Sequence, residues 1–193
     1  MFNVTANSAD VLSSAVGRSG GAAEETKGGG VFRVECFDKD GNLKWSDESR
    51  NLVVNVGLKD MNDKYFTGSA YTAAWFIGLY GAGATNTPAA GDTAASHAGW
   101  TENTTYSQST RPAATFAAAS TANPSVISNT ASPAAFTING TTTIGGAFLI
   151  SNNTKGGTTG ILFSAADFGA PGDRSVISGD TLNVTYTFNL TAV

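Results

Sequence analysis

Charged side chains are scarce over most of this chain. From Phe66 to the C-terminus only eight residues carry a charge: Asp92, Glu102, Arg111, Lys155, Asp167, Asp173, Arg174 and Asp180. Soluble proteins usually contain roughly 25% charged residues, so this stretch, rich in Thr, Ala, Ser, Gly and Asn, must keep its surface hydrated with hydroxyl and amide groups. The composition predicts a surface that makes neutral, short-range contacts.

The sequence also lacks a basic run and a long apolar run. With a formal net charge of −4 and a pI near 4.8, the chain has no field that would hold a polyanion, which argues against a nucleic-acid partner. No apolar stretch reaches the roughly 18 residues of a membrane helix, and the N-terminus shows no secretory signal. We therefore expect a protein made in the cytoplasm, with no nucleic-acid and no membrane partner.

Metal-binding residues are almost absent. Cys36 is the single cysteine, which excludes an intrachain disulfide, and we expect its thiol to be buried. His97 is the single histidine, and one cysteine and one histidine far apart in sequence cannot supply the ligands of a zinc site. No phosphate-binding loop is present. Asp38, Asp40 and Asn42 resemble the start of a calcium loop, but the glycine comes at the fourth rather than the sixth position. We predict no metal and no cofactor.

The residues for catalysis are equally few. His97 follows Asp92 by five positions and serines are common, so a catalytic triad is not forbidden, but no nucleophile elbow specifies one. The favoured alternative is that His97 forms a hydrogen bond within the loop SHAGW. The carboxylates Glu102, Asp167 and Asp173 carry no local sign of the facing pair that glycoside hydrolysis needs. We predict that the protein is not an enzyme.

Aromatic side chains offer one candidate binding site. Aromatic rings stack on sugars, although core packing is their more common role in a β domain. The chain contains Trp45, Trp75, Trp100, Tyr71, Tyr80 and Tyr106 among its aromatic residues. Of these, Trp100 and Tyr106 are the two that we expect to be exposed, and they are the candidate ligand-binding residues.

The first thirty residues differ from the rest. Residues 1–30 contain few large apolar side chains and end in three consecutive glycines, which predicts an extended N-terminal arm. Such an arm gains order when a partner holds it. We therefore divide the chain into an arm (1–30) and a β domain (31–193), with the hypothesis that the arm lies on a neighbouring subunit or partner.

Alternation of apolar and polar residues predicts the strands at both ends of the β domain. Residues 31–37 place Phe32, Val34 and Cys36 on one side, and Asp40-Gly41 predicts the hairpin turn that follows. Near the C-terminus five apolar residues alternate with polar ones, which predicts that one side faces the core: Leu182, Val184, Tyr186, Phe188 and Leu190.

The segment between these ends supplies the rest of the prediction. Residues 57–66 place Leu58, Met61 and Tyr65 at helical spacing, which predicts a short amphipathic helix. Other strands are expected at 73–80, 99–106, 113–118, 134–138 and 143–150. The predicted fold is mainly β: a β-sandwich, jelly-roll-like, with one short helix and the extended N-terminal arm.

Several segments, in this order, resemble a group of small virion-associated proteins of tailed bacteriophages: VFRVECFDKDGNLKWSDESRNLVVNVGL, WFIGLYGAG, GDTAASHAGWTENTTYSQSTRP, GGAFLISNNTKGGTTGILFSA and RSVISGDTLNVTYTFNLTA. The resemblance covers roughly residues 31–193. It implies a structural part of a virion and carries over no catalytic residue, because the shared segments are strand and turn signatures.

The expected function is that of a head decoration or cement protein. Such a protein binds the lattice of the major capsid protein on the outer capsid surface, as a homo-oligomer, and stabilises the shell. The alternative is a tail, collar or head-fibre appendage that binds a host receptor or glycan. A third possibility is a hydrolase of surface polysaccharide, which an assay with His97→Ala and Asp92→Ala controls would test.

Overall fold

The computed structural model describes residues 26–81, 87–168 and 172–192. Within them lie eleven strands and one helix in the following order: β1 (Thr26–Phe37), β2 (Leu43–Arg50), β3 (Leu52–Val53), α1 (Asn55–Phe66), β4 (Phe76–Gly81), β5 (Glu102–Asn103), β6 (Ser125–Ser128), β7 (Ala134–Thr137), β8 (Thr142–Ile150), β9 (Leu162–Asp167), β10 (Arg174–Val176) and β11 (Thr181–Ala192).

These strands form two antiparallel sheets. The first has the order β2-β1-β11-β6, and β7 also pairs with β11; the second has the order β3-β9-β8-β4-β5, and β10 also pairs with β8. The first and last described strands are neighbours along their whole length, from Thr26 opposite Ala192 to Phe37 opposite Thr181. The prediction of a mainly β sandwich with one helix is confirmed.

The alternating pattern of β11 determines which side of the first sheet faces inward. Leu182, Val184 and Tyr186 are fully buried and Phe188 nearly so, as the sequence predicts. Leu190 differs, since it retains 36% of its surface, and the buried row of β11 ends at Phe188.

Aromatic and thiol groups fill the space between the sheets. The rings of Phe32 and Tyr186 lie 4.6 Å apart on neighbouring strands, and Phe163 meets Phe188 edge to face at 5.4 Å across the two sheets. The thiol of Cys36 is free and buried in this core, as expected. Burial raises its pKa to about 11, so the group stays a thiol at neutral pH.

The second sheet is buried on both faces. Its inner face packs on the first sheet, while Tyr80, Phe148 and Ile150 project from its outer face beneath the loop 87–101. This explains why β4 and β8 contain continuous apolar runs rather than alternation, although every pairing is antiparallel. The molecule therefore has three layers: sheet, sheet and loop.

The turn and the helix are confirmed. Gly41, at φ +84°, closes the turn between β1 and β2, and its amide donates to the Asp38 carbonyl at 3.0 Å. The helix is present as α1, but its predicted apolar stripe does not turn inward as a whole. Leu58 and Tyr65 are exposed, and Gly57 is the buried residue.

Other boundaries need correction. Residues 26–30 belong to β1, so the predicted arm ends too late; its remainder, residues 1–25, lies outside the described residues. The predicted strand 99–106 shrinks to Glu102–Asn103, and 113–118 forms only an isolated bridge between Ala113 and Phe76. The structure adds β6, β9 and β10, which are short or buried on both faces and therefore lack a period-two signal.

A buried ion pair organises the loops at one edge of the second sheet. The Arg111 guanidinium donates a hydrogen bond from Nε to Glu102 Oε1 at 2.9 Å and another from Nη2 to Glu102 Oε2 at 2.7 Å. The two side chains are only 2% and 9% exposed. It also donates to the carbonyls of Asn152 and Gly157 at 2.8 Å each, and the Gly156 amide donates to Glu102 Oε2 at 2.8 Å. Arg111 thus ties its own segment and the β8–β9 loop to β5.

We expect Arg111→Met to lower the free energy of unfolding by about 3–5 kcal/mol, because the Glu102 carboxylate would be left buried without its partner. Chemical denaturation followed by circular dichroism measures this. The matched control is Arg33→Met, since Arg33 forms an exposed pair with Glu35 and should contribute at most about 1 kcal/mol. Equal losses from the two variants would contradict this role for Arg111.

Candidate functional site

An apolar cleft opens beside helix α1, where that helix meets the end of the sandwich. Its volume is about 370 Å³, within the usual range of binding pockets. The walls come from three parts of the chain: Met61 and Tyr65 of α1, Trp75 and Phe116 of the connecting segments, and Leu149, Phe163 and Phe188 of the two sheets.

The cleft depends on how α1 approaches the second sheet. Gly57 touches β9 directly, since a Cβ atom there would lie only 2.5 Å from the carbonyl oxygen of Phe163. The other end of the helix is different, because Tyr65 and Phe66 are 81% and 76% exposed. One end of α1 is in close contact with the sheet, and the cleft lies below the rest of it.

The segment after α1 closes one side of the cleft. Trp75 packs edge to face on Phe163 at 5.6 Å, and its Nε1 donates to the Tyr71 hydroxyl at 2.6 Å. The Lys64 ammonium lies 5.3 Å from the centre of the Tyr71 ring. Burial raises the pKa of Tyr71, so this hydroxyl is neutral at physiological pH. The polar groups of this wall are therefore already engaged with each other.

The polar group on the floor of the cleft is also satisfied. The Tyr186 hydroxyl accepts a hydrogen bond from Asn51 Nδ2 at 2.8 Å, and Ser164 Oγ donates to it at 3.3 Å. Asn51 in turn accepts from the Gly30 amide at 2.7 Å, which links the floor to β1. Burial raises the pKa of Tyr186 as well. An occupant of the cleft would gain mainly apolar contacts.

Exposed apolar side chains continue the cleft onto the surface. Leu58 and Tyr71 are 44% and 46% exposed, and together with Tyr65 and Phe66 they form what we call the α1 patch. The rings of Tyr65 and Phe66 meet edge to face at 4.8 Å. Contiguous exposed apolar groups of this kind mark interaction sites more often than isolated ones do.

The two residues predicted to bind a ligand are not exposed. Trp100 is 5% exposed and packs on Tyr80 and Phe148 beneath the loop 87–101. Tyr106 is fully buried and meets Phe136 edge to face at 5.0 Å. The prediction of exposure is wrong for both, because Trp100 belongs to the loop that covers the second sheet and Tyr106 belongs to the core between the sheets.

His97 and Asp92 both hold Trp100. Asp92 Oδ2 accepts from Trp100 Nε1 at 2.9 Å and from the Ala89 amide at 2.9 Å. The His97 ring stacks on the indole, with 3.9 Å between ring centres, and its Nδ1 lies 2.8 Å from the Trp100 carbonyl oxygen. The predicted hydrogen bond of His97 within its own loop is confirmed. These two side chains fix the indole that anchors the loop.

Of the remaining candidate carboxylates, Glu102 is bound by Arg111. Asp167 and Asp173 are near each other, since burial and the charge of Asp173 raise the pKa of Asp167. Among the residues that the structure describes, no three His, Cys, Asp or Glu side chains are grouped to hold a metal ion. Over the same residues, no helix is long and apolar enough to cross a membrane.

Comparisons of the chain with models of protein families, with curated proteins and with solved structures gave no match.

Local sequence patterns do not predict the cleft. Its walls come from segments up to 127 residues apart, from Met61 to Phe188, and each of these side chains also fits a role in the core. One local signal was present: Tyr65 and Phe66 are adjacent at the end of the helix, and adjacent residues cannot both face the core of a short helix. At least one ring had to remain exposed.

Two tyrosine hydroxyls provide a test of the interior. The buried Tyr106 hydroxyl has no hydrogen-bond partner among the described residues, whereas the Tyr186 hydroxyl has two. We therefore expect Tyr106→Phe to keep or raise the melting temperature, and Tyr186→Phe to lower the free energy of unfolding by about 1–2 kcal/mol. Thermal and chemical denaturation measure both. A large loss in Tyr106→Phe would mean that its hydroxyl has a partner.

Proposed function

We propose that this protein is a structural component of a bacteriophage virion, a head decoration protein that binds the lattice of the major capsid protein. The observation that carries the proposal is the α1 patch, together with the resemblance of the sequence to virion-associated proteins. The patch is a group of exposed apolar side chains on a chain that carries only eight charged residues after Phe66. It is the surface that we assign to contact with the shell.

The geometry of the patch suits an anchor. Tyr65 and Phe66 present large apolar area from the last turn of a helix, and their mutual edge-to-face contact limits the rotamers that binding would have to fix. Aromatic residues supply much of the energy of protein interfaces because they bury a large area at a small entropic cost. On a shell, each copy would contribute a modest contact, which repetition over the lattice and assembly into a homo-oligomer would strengthen.

The charges near the patch are paired locally. Lys59 pairs with Asp63, and Lys64 lies 4.0 Å from Asp60 on the same helix. These pairs leave little net field at the proposed contact surface. Binding through it would therefore depend on apolar contact, with little electrostatic steering.

We expect the double variant Tyr65→Ser with Phe66→Ser to lose binding to shells assembled from the major capsid protein, while its melting temperature stays close to that of the parent. Both side chains are largely exposed, so their loss removes contact area without opening the core. Co-sedimentation with shells that lack the decoration protein measures binding.

The matched control changes two apolar residues away from the α1 patch. Leu43→Ser with Ile177→Ser removes side chains that are 55% and 52% exposed, one beside the β1–β2 turn and one between β10 and β11. This variant should still bind. Equal loss in both variants, or full binding by the Tyr65 and Phe66 variant, would remove the α1 patch from the proposal.

Salt gives an independent test. Because the proposed contacts are apolar and the nearby charges are paired, shell occupancy should change little between low salt and about 1 M salt, where the Debye length is about 3 Å. Release of the protein at moderate ionic strength would point to a charged interface instead.

The number of copies per particle separates the two proposed roles. Coverage of the lattice supports decoration, and a few copies at one vertex support a tail, collar or head-fibre appendage that binds a receptor or glycan.

A further inference from the structure

We infer that the apolar cleft beside α1 is occupied by the apolar residues of the N-terminal segment of the same chain, residues 1–25. The inference concerns the protein in solution and does not depend on its binding to a shell. It differs from the expectation that this segment lies on a neighbouring subunit.

The N-terminal segment joins the described fold near the cleft. Strand β1 begins at Thr26, which lies opposite Ala192, whereas its pairing with β2 begins only at Val31, opposite Arg50. The strand therefore extends past β2 at the end of the sandwich that holds the cleft. Phe188, a residue of the cleft wall, lies opposite Gly30, only four positions from Thr26. At roughly 3.3 Å per residue, the separation along the strand is about 13 Å.

The N-terminal segment consists of apolar residues followed by a glycine-rich linker. Counting back from Thr26, residues 17–25 (GRSGGAAEE) contain three glycines and no large apolar side chain. The apolar residues Val16, Leu12 and Val11 come immediately before them. A glycine-rich linker has a root-mean-square length of about 5–6 Å × √n, which gives about 15–18 Å for the nine residues between Val16 and Thr26. This length is close to the separation that it has to span.

The tethered segment is present at the cleft at a higher effective concentration than a second copy of the protein. When a flexible linker matches the distance to its site, the effective concentration of the tethered group reaches the millimolar range. A neighbouring copy in dilute solution is present at far lower concentration. The same chain therefore occupies the cleft before a second copy can, unless a lattice holds the second copy in place.

The chemistry of the cleft suits aliphatic side chains. The neutral polar groups of the cleft are already hydrogen-bonded, through Trp75 with Tyr71 and Tyr186 with Asn51. Its two charged lining residues, Asp60 and Lys64, lie 4.0 Å from each other. The open surface is apolar and about 370 Å³ in volume. Aliphatic side chains such as those of Leu12 and Val16 require no hydrogen-bond partner, and their burial is favourable in proportion to the apolar area removed from water.

The methionines of this chain permit a direct test. There are only two, Met1 in the segment and Met61 in the cleft wall, so a protein with ¹³C-labelled methionine methyl groups gives one resonance for the cleft. A nitroxide spin label attached at Ser14→Cys should broaden the Met61 methyl resonance and remove most of its intensity. Cys36 should stay unlabelled, since its thiol is buried and has a pKa raised to about 11.

Two controls establish which chain is responsible. A label at Asp40→Cys, in the exposed turn between β1 and β2, should leave the Met61 resonance intact. In a mixed sample, protein without ¹³C that carries the spin label at Ser14→Cys is added to ¹³C-labelled protein that has no spin label. The Met61 resonance should again stay intact. Broadening in the mixed sample would overturn the assignment to the same chain, and absence of broadening in every sample would overturn the cleft as the docking site.

A final pair of variants tests the contact itself. Val11→Ser, Leu12→Ser and Val16→Ser together should restore the Met61 intensity in the spin-labelled protein, whereas Ser8→Ala with Ser13→Ala should not. All five positions lie before β1, so the fold should be unaffected, and the melting temperature checks this. If broadening persists in the triple variant, apolar contact does not hold the segment and the inference fails. Because no shell is present, this outcome is independent of whether the protein is a decoration protein.

Discussion

The structure depends above all on the pairing of β1 with β11. Twelve residues of one strand face twelve of the other, so the beginning and the end of the described fold are joined by one continuous ladder. The ladder aligns Phe32, Val34 and Cys36 beside Leu182, Val184 and Tyr186, and this double row is the first sheet's contribution to the core. It also brings Thr26 to the end of the sandwich where the cleft opens.

A second constraint is the burial of both faces of the second sheet. A sheet that is covered on one side by the first sheet needs another cover on its other side, and the loop 87–101 supplies it. Trp100 is the anchor of that loop, which is why Asp92 and His97 are both directed at it. Asp92 and His97, the polar residues considered for a catalytic triad, both contact this indole and hold it over Tyr80 and Phe148.

The function that we propose follows from what these two constraints leave uncovered. Helix α1 is attached through the close contact of Gly57 with β9, but Tyr65 and Phe66 at its other end are largely exposed in the part of the chain that the structure describes. The cleft and the α1 patch therefore adjoin, and Tyr65 and Tyr71 belong to both. The cleft is concave and suits a segment of the same chain, whereas the patch projects and suits the surface of a partner.

Local patterns in the sequence were enough to predict β11, the first hairpin, the helix and the mainly β class, because each depends on a period that a few adjacent residues define. They could not predict that Leu190, in the same alternating row, stays partly exposed, nor that β9 is a strand, because those outcomes depend on what packs against each residue and on both faces of a sheet. The same limit applies to the site: alternation marks Tyr186 and Phe188 as core, but only the packing of α1 turns their surroundings into a cleft. The sequence by itself determined which residues are apolar and with what spacing, while the tertiary structure decided which of them, such as Trp100 and Tyr65, are covered, because coverage depends on segments far away along the chain.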